Sequence, residues 1–382
     1  MKFGVFDHMD DGGGPLGTLY AERLELIEAY DRSGIYGYHI AEHHSTPLGC
    51  APSPGLFLAA VTQRTKTLRF GPLVYLLPFY HPLRLIEEIC MLDQMSGGRL
   101  ELGIGRGVSP FETRAYGLDF AQTGEIYHEA FELILKGLAG DELTFEGKHY
   151  RFHNVPMILR PLQRPHPPLW YGITIPENAD WPAANDVNVV SIALRPTVRS
   201  IIDRYRAERT RLGKTHTPFM GVARHVVVAD SDEAARKIAR RAYPRWRNNF
   251  RWLFARHGAE PRITALYPPT FDELTAIDNG VAGSPRTVRD FVAAEIEVRQ
   301  LLRVVAGFRR HDARGIVALA CAVFTRGDAG LRPRARRRGA MNPQHRPRPA
   351  RFISVTAIFM GGSCGPSAPS PHPWNCAVSG RF

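Results

Sequence analysis

LLPFYHPLRLIEEICMLDQMSGGRLELGIGRG, residues 76–107, is the stretch whose reading decides the fold. It holds the end of an apolar strand, a proline-punctuated loop, an amphipathic helix, a glycine turn and a second apolar strand, which is one complete β–α–β unit. The second strand ends in Gly103, Gly105, Arg106 and Gly107. In parallel barrels and open sheets, ligands bind at the carboxyl ends of strands. Glycine leaves backbone N–H groups free to approach a phosphate, and arginine can hold one bidentately. The segment therefore predicts a parallel α/β fold with a phosphate-bearing ligand at Gly105, Arg106 and Gly107.

The same alternation extends in both directions. Strands are expected at Lys2–Phe6, Tyr36–Ala41, Leu68–Leu76, Leu100–Ile104, Leu169–Ile173, Val187–Ile192 and Met220–Val228. Helices are expected at Leu16–Ser33, Ser53–Arg64, Pro82–Met95, Ile126–Leu138 and Ser284–Glu297, with a basic one capped by Asp230–Glu233 and ending near Ala242. Residues 143–155, LTFEGKHYRFHNV, read as a hairpin insertion, and 243–282 as an aromatic, irregular lid or insertion. Apolar strands separated by helices imply a parallel sheet covered on both faces. Seven strands are counted, one short of a (β/α)8 barrel.

Composition narrows the class. A hydrophobic share of 44% is ordinary for a globular protein. No apolar run approaches the about 18 residues needed to span a bilayer. The first residues, MKFGVFDHMDDGGG, carry acids and glycines where a signal peptide needs an apolar core. Five cysteines without paired spacing predict a reduced, cytoplasmic protein. The net charge of +12 is confined to one end: residues 298–382 hold 15 Arg, no Lys and two Asp, whereas residues 1–297 hold 34 basic and 35 acidic residues. The globular part is neutral, which argues against nucleic acid as its partner.

The pieces FGVF near the start, Ala41-Glu42-His43-His44 after the second strand, the LP..HP.R..E....LDQ.S.GR...G..RG pattern of the opening segment, Trp181, and VAGSP near Gly283 together resemble the bacterial luciferase-like flavin monooxygenases. The resemblance covers residues 1 to about 297. It implies a luciferase-like TIM barrel, reduced FMN delivered by a separate flavin reductase, O2 and a small organic molecule as substrates, and a homodimer. A sister branch uses a deazaflavin for hydride transfer, and an inactive or merely flavin-binding relative is a further alternative. By the same resemblance, His43 matches the histidine used near the flavin, and Leu73 and Val74 match a pair that straddles a non-proline cis peptide beneath it.

Other residues are weighed on chemistry. His43 and His44 can supply or accept a proton near neutrality, and Glu42 can orient an imidazole. Adjacent strand histidines point to opposite faces, so joint metal binding is not expected. Thr174 and Asn178 flank Pro176, where a helix start would offer phosphate-binding N–H groups. Phe79, Tyr80 and His81 are expected to wall the substrate pocket. Tyr75 reads as core. Glu87, Glu88 and Asp93 read as solvent-facing on the outer helix.

The composition breaks at Glu297, where strand eight should begin. Reading Gln300–Val317 one base later, synonymous codons permit NYFVSWQAFGDMTREES, and Cys321–Leu331 permits ALFSREVMPAF. These look like the missing strand and helix. The chain thus divides into a barrel, 1–297, and an out-of-frame Arg/Pro-rich tail, 298–382; the alternative is a genuine disordered extension. A barrel without its last strand exposes unpaired edges, so a poorly soluble or inactive protein is expected unless the tail supplies a substitute. Ile353–Met360 is the strand-like run there. Sequencing the gene through codon 297 and comparing it with close relatives should reveal one inserted or missing base; an intact frame overturns the frame-change reading.

Overall fold

The computed structural model describes residues 2–216, 218–298 and 356–361. Its strands are β1 (Lys2–Asp7), β2 (Gly37–Ile40), β3 (Arg69–Pro72), β4 (Tyr75–Leu76), β5 (Leu102–Gly105), β6 (Glu142–Glu146), β7 (Arg151–Pro156), β8 (Leu169–Gly172), β9 (Asn188–Ser191), β10 (Met220–Val228), β11 (Gly280–Gly283) and β12 (Thr356–Gly361). The helices are α1 (Leu16–Arg32), α2 (Pro54–Arg64), α3 (Pro82–Ser96), α4 (Pro110–Ala115), α5 (Thr123–Ala139), α6 (Asp180–Ala184), α7 (Arg195–Arg211), α8 (Asp232–Arg256), α9 (Phe271–Ala276) and α10 (Pro285–Val298).

The opening segment folds as its sequence dictates. Pro82 occupies the first turn of α3, where a missing N–H costs nothing. Gly97 and Gly98 end the helix at φ 67° and 79°, a left-handed turn that side chains resist. Leu85, Ile86 and Ile89 are fully buried on its inner face, each contributing about 1.5–3 kcal/mol. Asp93 corrects the solvent-facing expectation. It is wholly buried and accepts hydrogen bonds from the Gln163 backbone N (2.8 Å) and Nε2 (2.7 Å).

The strands form a TIM-type barrel in the order β3–β2–β1–β12–β10–β9–β8–β5, with β4 beside the end of β5. All neighbouring pairs are parallel except those made by β12. The ring closes where Phe70 N donates to Arg99 O (3.2 Å) and Glu101 N to Phe70 O (2.8 Å). Glycines permit this approach. A Cβ on Gly71 would lie 1.7 Å from Glu101 O, and one on Gly103 would lie 2.2 Å from Pro72 O. The interior is filled by Leu73, Trp170, Val190 and Ala223, with Phe6 and Phe219 packed against them.

Three boundaries differ from the sequence reading. The third strand divides into β3 and β4 around Leu73–Val74. The basic helix does not stop at Ala242: α8 continues through Pro244 to Arg256, because Tyr243, Trp246 and Leu253 are buried on the layer containing Tyr267 and Phe271. Packing there outweighs the hydrogen bond lost at proline. Much of the expected irregular lid is therefore helical, and β11 pairs parallel with the carboxyl half of β10.

The eighth stave is the largest difference. No parallel strand follows Glu297 among the described residues. Instead β12, which overlaps the strand-like run Ile353–Met360 and ends one residue past it, sits antiparallel between β1 and β10. The rest of 298–382 beyond Val298 lies outside the described residues. Gly71→Ala should lower the unfolding free energy by more than about 2 kcal/mol, because rigid backbone must move; a lower denaturant midpoint at unchanged slope checks it.

Candidate active site

The carboxyl ends of the staves carry the chemistry-bearing loops. β1 is followed by His8, β2 by Ala41–His44, and β5 by Arg106 and Gly107; β10 carries His225 in its carboxyl half. The His8 and His43 rings stack with centroids 5.8 Å apart and planes 15° apart. Trp246, reaching in from α8, lies edge-on to His8 (5.6 Å) and to His225 (4.5 Å), and its Nε1–H makes a long 3.4 Å contact to His8 Nδ1. Three histidines and a tryptophan from four elements thus share one end of the barrel.

Electrostatics favour neutral rings at His8 and His225. His8 keeps a partly open edge, yet the protein packed around it holds its pKa well below the ordinary value, with His43 and His225 adding repulsion. Burial lowers His225 to about 4, and neighbouring Arg224 adds to the effect. His43 is partly exposed, and its Nδ1 lies 3.2 Å from Oε1 of buried Glu112. Donation from Nδ1 to that carboxylate leaves Nε2 as the free acceptor, the arrangement that fixes an imidazole's tautomer and aim.

Glu112 comes from the first turn of α4, whose N-cap Ser109 accepts a hydrogen bond from Glu112 N (3.2 Å). Serine three residues before glutamate is a capping signature. Here the carboxylate turns to His43, so the spacing signals the residue but not its task. Sequence reasoning also passed over His8, His225 and Trp246. His8 was legible as a histidine just past a strand end and His225 as one in the carboxyl half of a strand; Trp246 was hidden in a segment taken as irregular.

Glu42 orients an imidazole, as expected, and the imidazole is that of His44. It does not serve His43. Its Oε1 lies 2.8 Å from His44 Nε2, while Oε2 accepts from Leu76 N (3.1 Å) and Tyr80 OH (2.9 Å). Burial raises the Glu42 pKa, and these hydrogen bonds oppose that rise. His44 Nδ1 in turn meets Tyr116 OH at 2.7 Å. Tyr116 stacks on Phe79 with centroids 4.5 Å apart and planes 4° apart. The network ties the loops after β2, β4 and α4 together, which makes His44 and Tyr80 part of the frame. Phe79 joins the same cluster, whereas His81 is exposed and edge-on to Phe152 of the β6–β7 hairpin.

The Leu73–Val74 peptide is cis. Val74 sits against β5, where a Cβ on Gly105 would come within 2.4 Å of Val74 Cγ2. Gly103 and Gly105 are thus small because strands pack across them. Gly107 adopts φ 87°, and a Cβ there would only touch the Leu76 side chain, at 3.8 Å. Arg106 is exposed, lies over the Phe120 ring at 5.1 Å, and makes no ion pair among the described residues. Such a guanidinium beside a left-handed glycine fits a phosphate. Thr174 is partly buried and Asn178 exposed, and Pro176–Ala179 is a four-residue 3-10 turn rather than the start of a long helix. Glu88 accepts from Tyr75 OH (2.7 Å), and Tyr75 is core as expected.

The profile of the luciferase-like monooxygenases matches residues 1–299. The chain belongs to that family. This luciferase-like, flavin-dependent monooxygenase is 44% identical over 299 residues to the uncharacterized protein y4wF of Sinorhizobium fredii, covering 78% of this chain and 87% of that one. It is 30% identical over 246 residues to the oxygenase component of the flavin-dependent trigonelline monooxygenase of Acinetobacter baylyi, covering 63% and 68% of the two chains. Among solved structures it resembles monooxygenase RslO1 of Streptomyces bottropensis, with a TM-score of 0.71, 25% identity, and coverage of 85% of this chain and 98% of that one. The oxygenating constituent of 3,6-diketocamphane monooxygenase from Pseudomonas putida, in complex with FMN, shares the fold at a TM-score of 0.65 and 23% identity, over 78% of this chain and 90% of that one.

The His225 environment sets a pH dependence. Its folded pKa of about 4 lies below the ordinary histidine value of about 6.5. The associated stability is complete above about pH 6.5 and is lost as pH falls toward the folded pKa, because a dry imidazole must then take a charge. Between pH 7 and pH 4, His225→Gln should lose up to about 3 kcal/mol less stability than the unmodified luciferase-like chain, read from urea midpoints.

Proposed function

We propose that this family member is an FMNH2-dependent oxygenase component acting with O2 on a small organic molecule, the reduced flavin coming from a separate reductase. The observation that carries the reading is the pairing of His43 with Glu112 at the same barrel end as an unpaired Arg106. The residues present fit a flavin mononucleotide. Arg106, with the backbone N–H at Gly107, would hold the phosphate; Thr174 and Asn178 would add donors. Leu73 and Val74 would lie beneath the ring system. When bound, the flavin supplies the electrons that activate oxygen.

The protein's part is position, dryness and proton control. Glu112 keeps the Nδ1 proton of His43, so Nε2 can accept a proton at the mouth and return it. His8 stacks on His43, and burial holds its own pKa well below the ordinary value, so it adds no positive charge beside that ring. Phe79 and Tyr80 would wall the substrate side, with Tyr116 beside them, and limit water. Two named relatives support the chemistry: the trigonelline enzyme is called an oxygenase component, and another, from Rhodococcus erythropolis, is called limonene 1,2-monooxygenase.

Anaerobic titration of the full chain tests this. Reduced FMN should bind at least tenfold more tightly than reduced riboflavin or a reduced deazaflavin. Arg106→Ala should remove the preference for FMN over riboflavin. His43→Asn should leave FMN affinity within twofold but lower oxygen-dependent product formation at least a hundredfold with a turned-over substrate. Equal affinity for FMN and riboflavin, or preference for the deazaflavin, overturns the proposal.

A further inference from the structure

β1 and β10 face each other across a slot one strand wide. Neither is hydrogen-bonded to the other: β2 flanks β1 on one side, and β9 and β11 pair with β10. α10 roofs the slot from outside. Its Val288, Val292 and Ile296 cluster with Val226 and Val228 of β10, and Phe3 of β1 packs against the same cluster. The interior cluster with Phe6 and Ala223 lines the other side. A roofed and floored slot excludes water, so the backbone N–H and C=O groups along both edges need partners from a peptide.

The occupant is β12. Lys2 to Phe6 pair with Met360 back to Thr356, and Met220 to His225 pair with Gly361 back to Thr356. It runs from the histidine end of the barrel toward the base, against the direction of both neighbours. The β–α repeat before it calls for a parallel strand, reached by a right-handed crossover directly after α10. The strand instead comes from beyond residue 355 and is reversed. Hydrogen-bonding groups on an extended backbone satisfy either direction; only the pattern changes.

We propose that the slot between β1 and β10 is a strand-acceptor site that reads extended backbone rather than a particular sequence or direction, and that Thr356–Gly361 of the same chain is its occupant. The ring, and with it the placement of His8 and His225 at its end, depends on that occupant. This goes beyond the oxygenase reading and stands apart from it, since a flavin plays no part.

Hydrogen exchange on the unmodified full-length chain is the first measurement. Amides of Ala357–Met360 should be protected to within tenfold of those in Val5–Phe6 and Val222–Ala223; free exchange throughout Ala357–Met360 overturns the proposal. Ile358→Pro removes one N–H and should raise exchange in Lys2–Asp7 and Met220–His225 at least tenfold, while Ala368→Pro, outside the strand, should change neither. Unchanged exchange with Ile358→Pro overturns it, even if FMN binding is altered. Ile358→Val with Met360→Ile keeps an extended backbone and should leave exchange within threefold; loss of protection there overturns the claim that backbone is what is read.

Discussion

A barrel has no edge, and that requirement governs the rest of this molecule. Every stave must find a partner on both sides, because an unpaired N–H or C=O in a dry wall costs about 1–3 kcal/mol against a total stability of about 5–15 kcal/mol. Two places are hard to close. At one, β3 and β5 approach so nearly that only glycine fits at positions 71 and 103. At the other, the β–α succession stops at α10, and the strand lying between β1 and β10 comes from far along the chain.

The site inherits its geometry from those closures. Val74 rests against Gly105, directly before the Arg106 loop. Deeper in the barrel, burial would raise the Glu101 pKa, but hydrogen bonds and charge from His39, with Arg69 and Tyr36, hold it at about 2. That fully ionised group fixes β2, β3 and β5 in register below the mouth. Above it, each of the two adjacent histidines has its own carboxylate. Glu112 aims His43, and Glu42 locks His44 into the loop frame. One pair can therefore do proton work while the other holds the wall in place.

Local signals made the alternation, the hairpin at 143–155, the helix stop at Gly97-Gly98 and the strand-end placement of His43 and Arg106 readable, because each rests on periodicity, turn chemistry or a loop position close in sequence. The same signals misled wherever distant packing prevailed. The basic helix reads as ending near Ala242, but Trp246 and Leu253 gain enough burial to carry it through Pro244 to Arg256. Asp93 reads as surface until Gln163 supplies its partners from another loop. Glycines 103 and 105 read as room for a ligand and turn out to be room for a neighbouring strand.

The sequence by itself determined a luciferase-like β/α barrel and the histidine and arginine placed at the carboxyl end of its strands, because strand and helix periods and strand-end positions are local properties. Only the tertiary structure decided that Glu112 rather than Glu42 partners His43, that His8, His225 and Trp246 join the site, and that a reversed strand completes the wall. Those outcomes depend on which residues, 69 or more than 200 positions apart, are brought within hydrogen-bonding or stacking distance. No local pattern encodes that; burial and the demand for paired backbone select it.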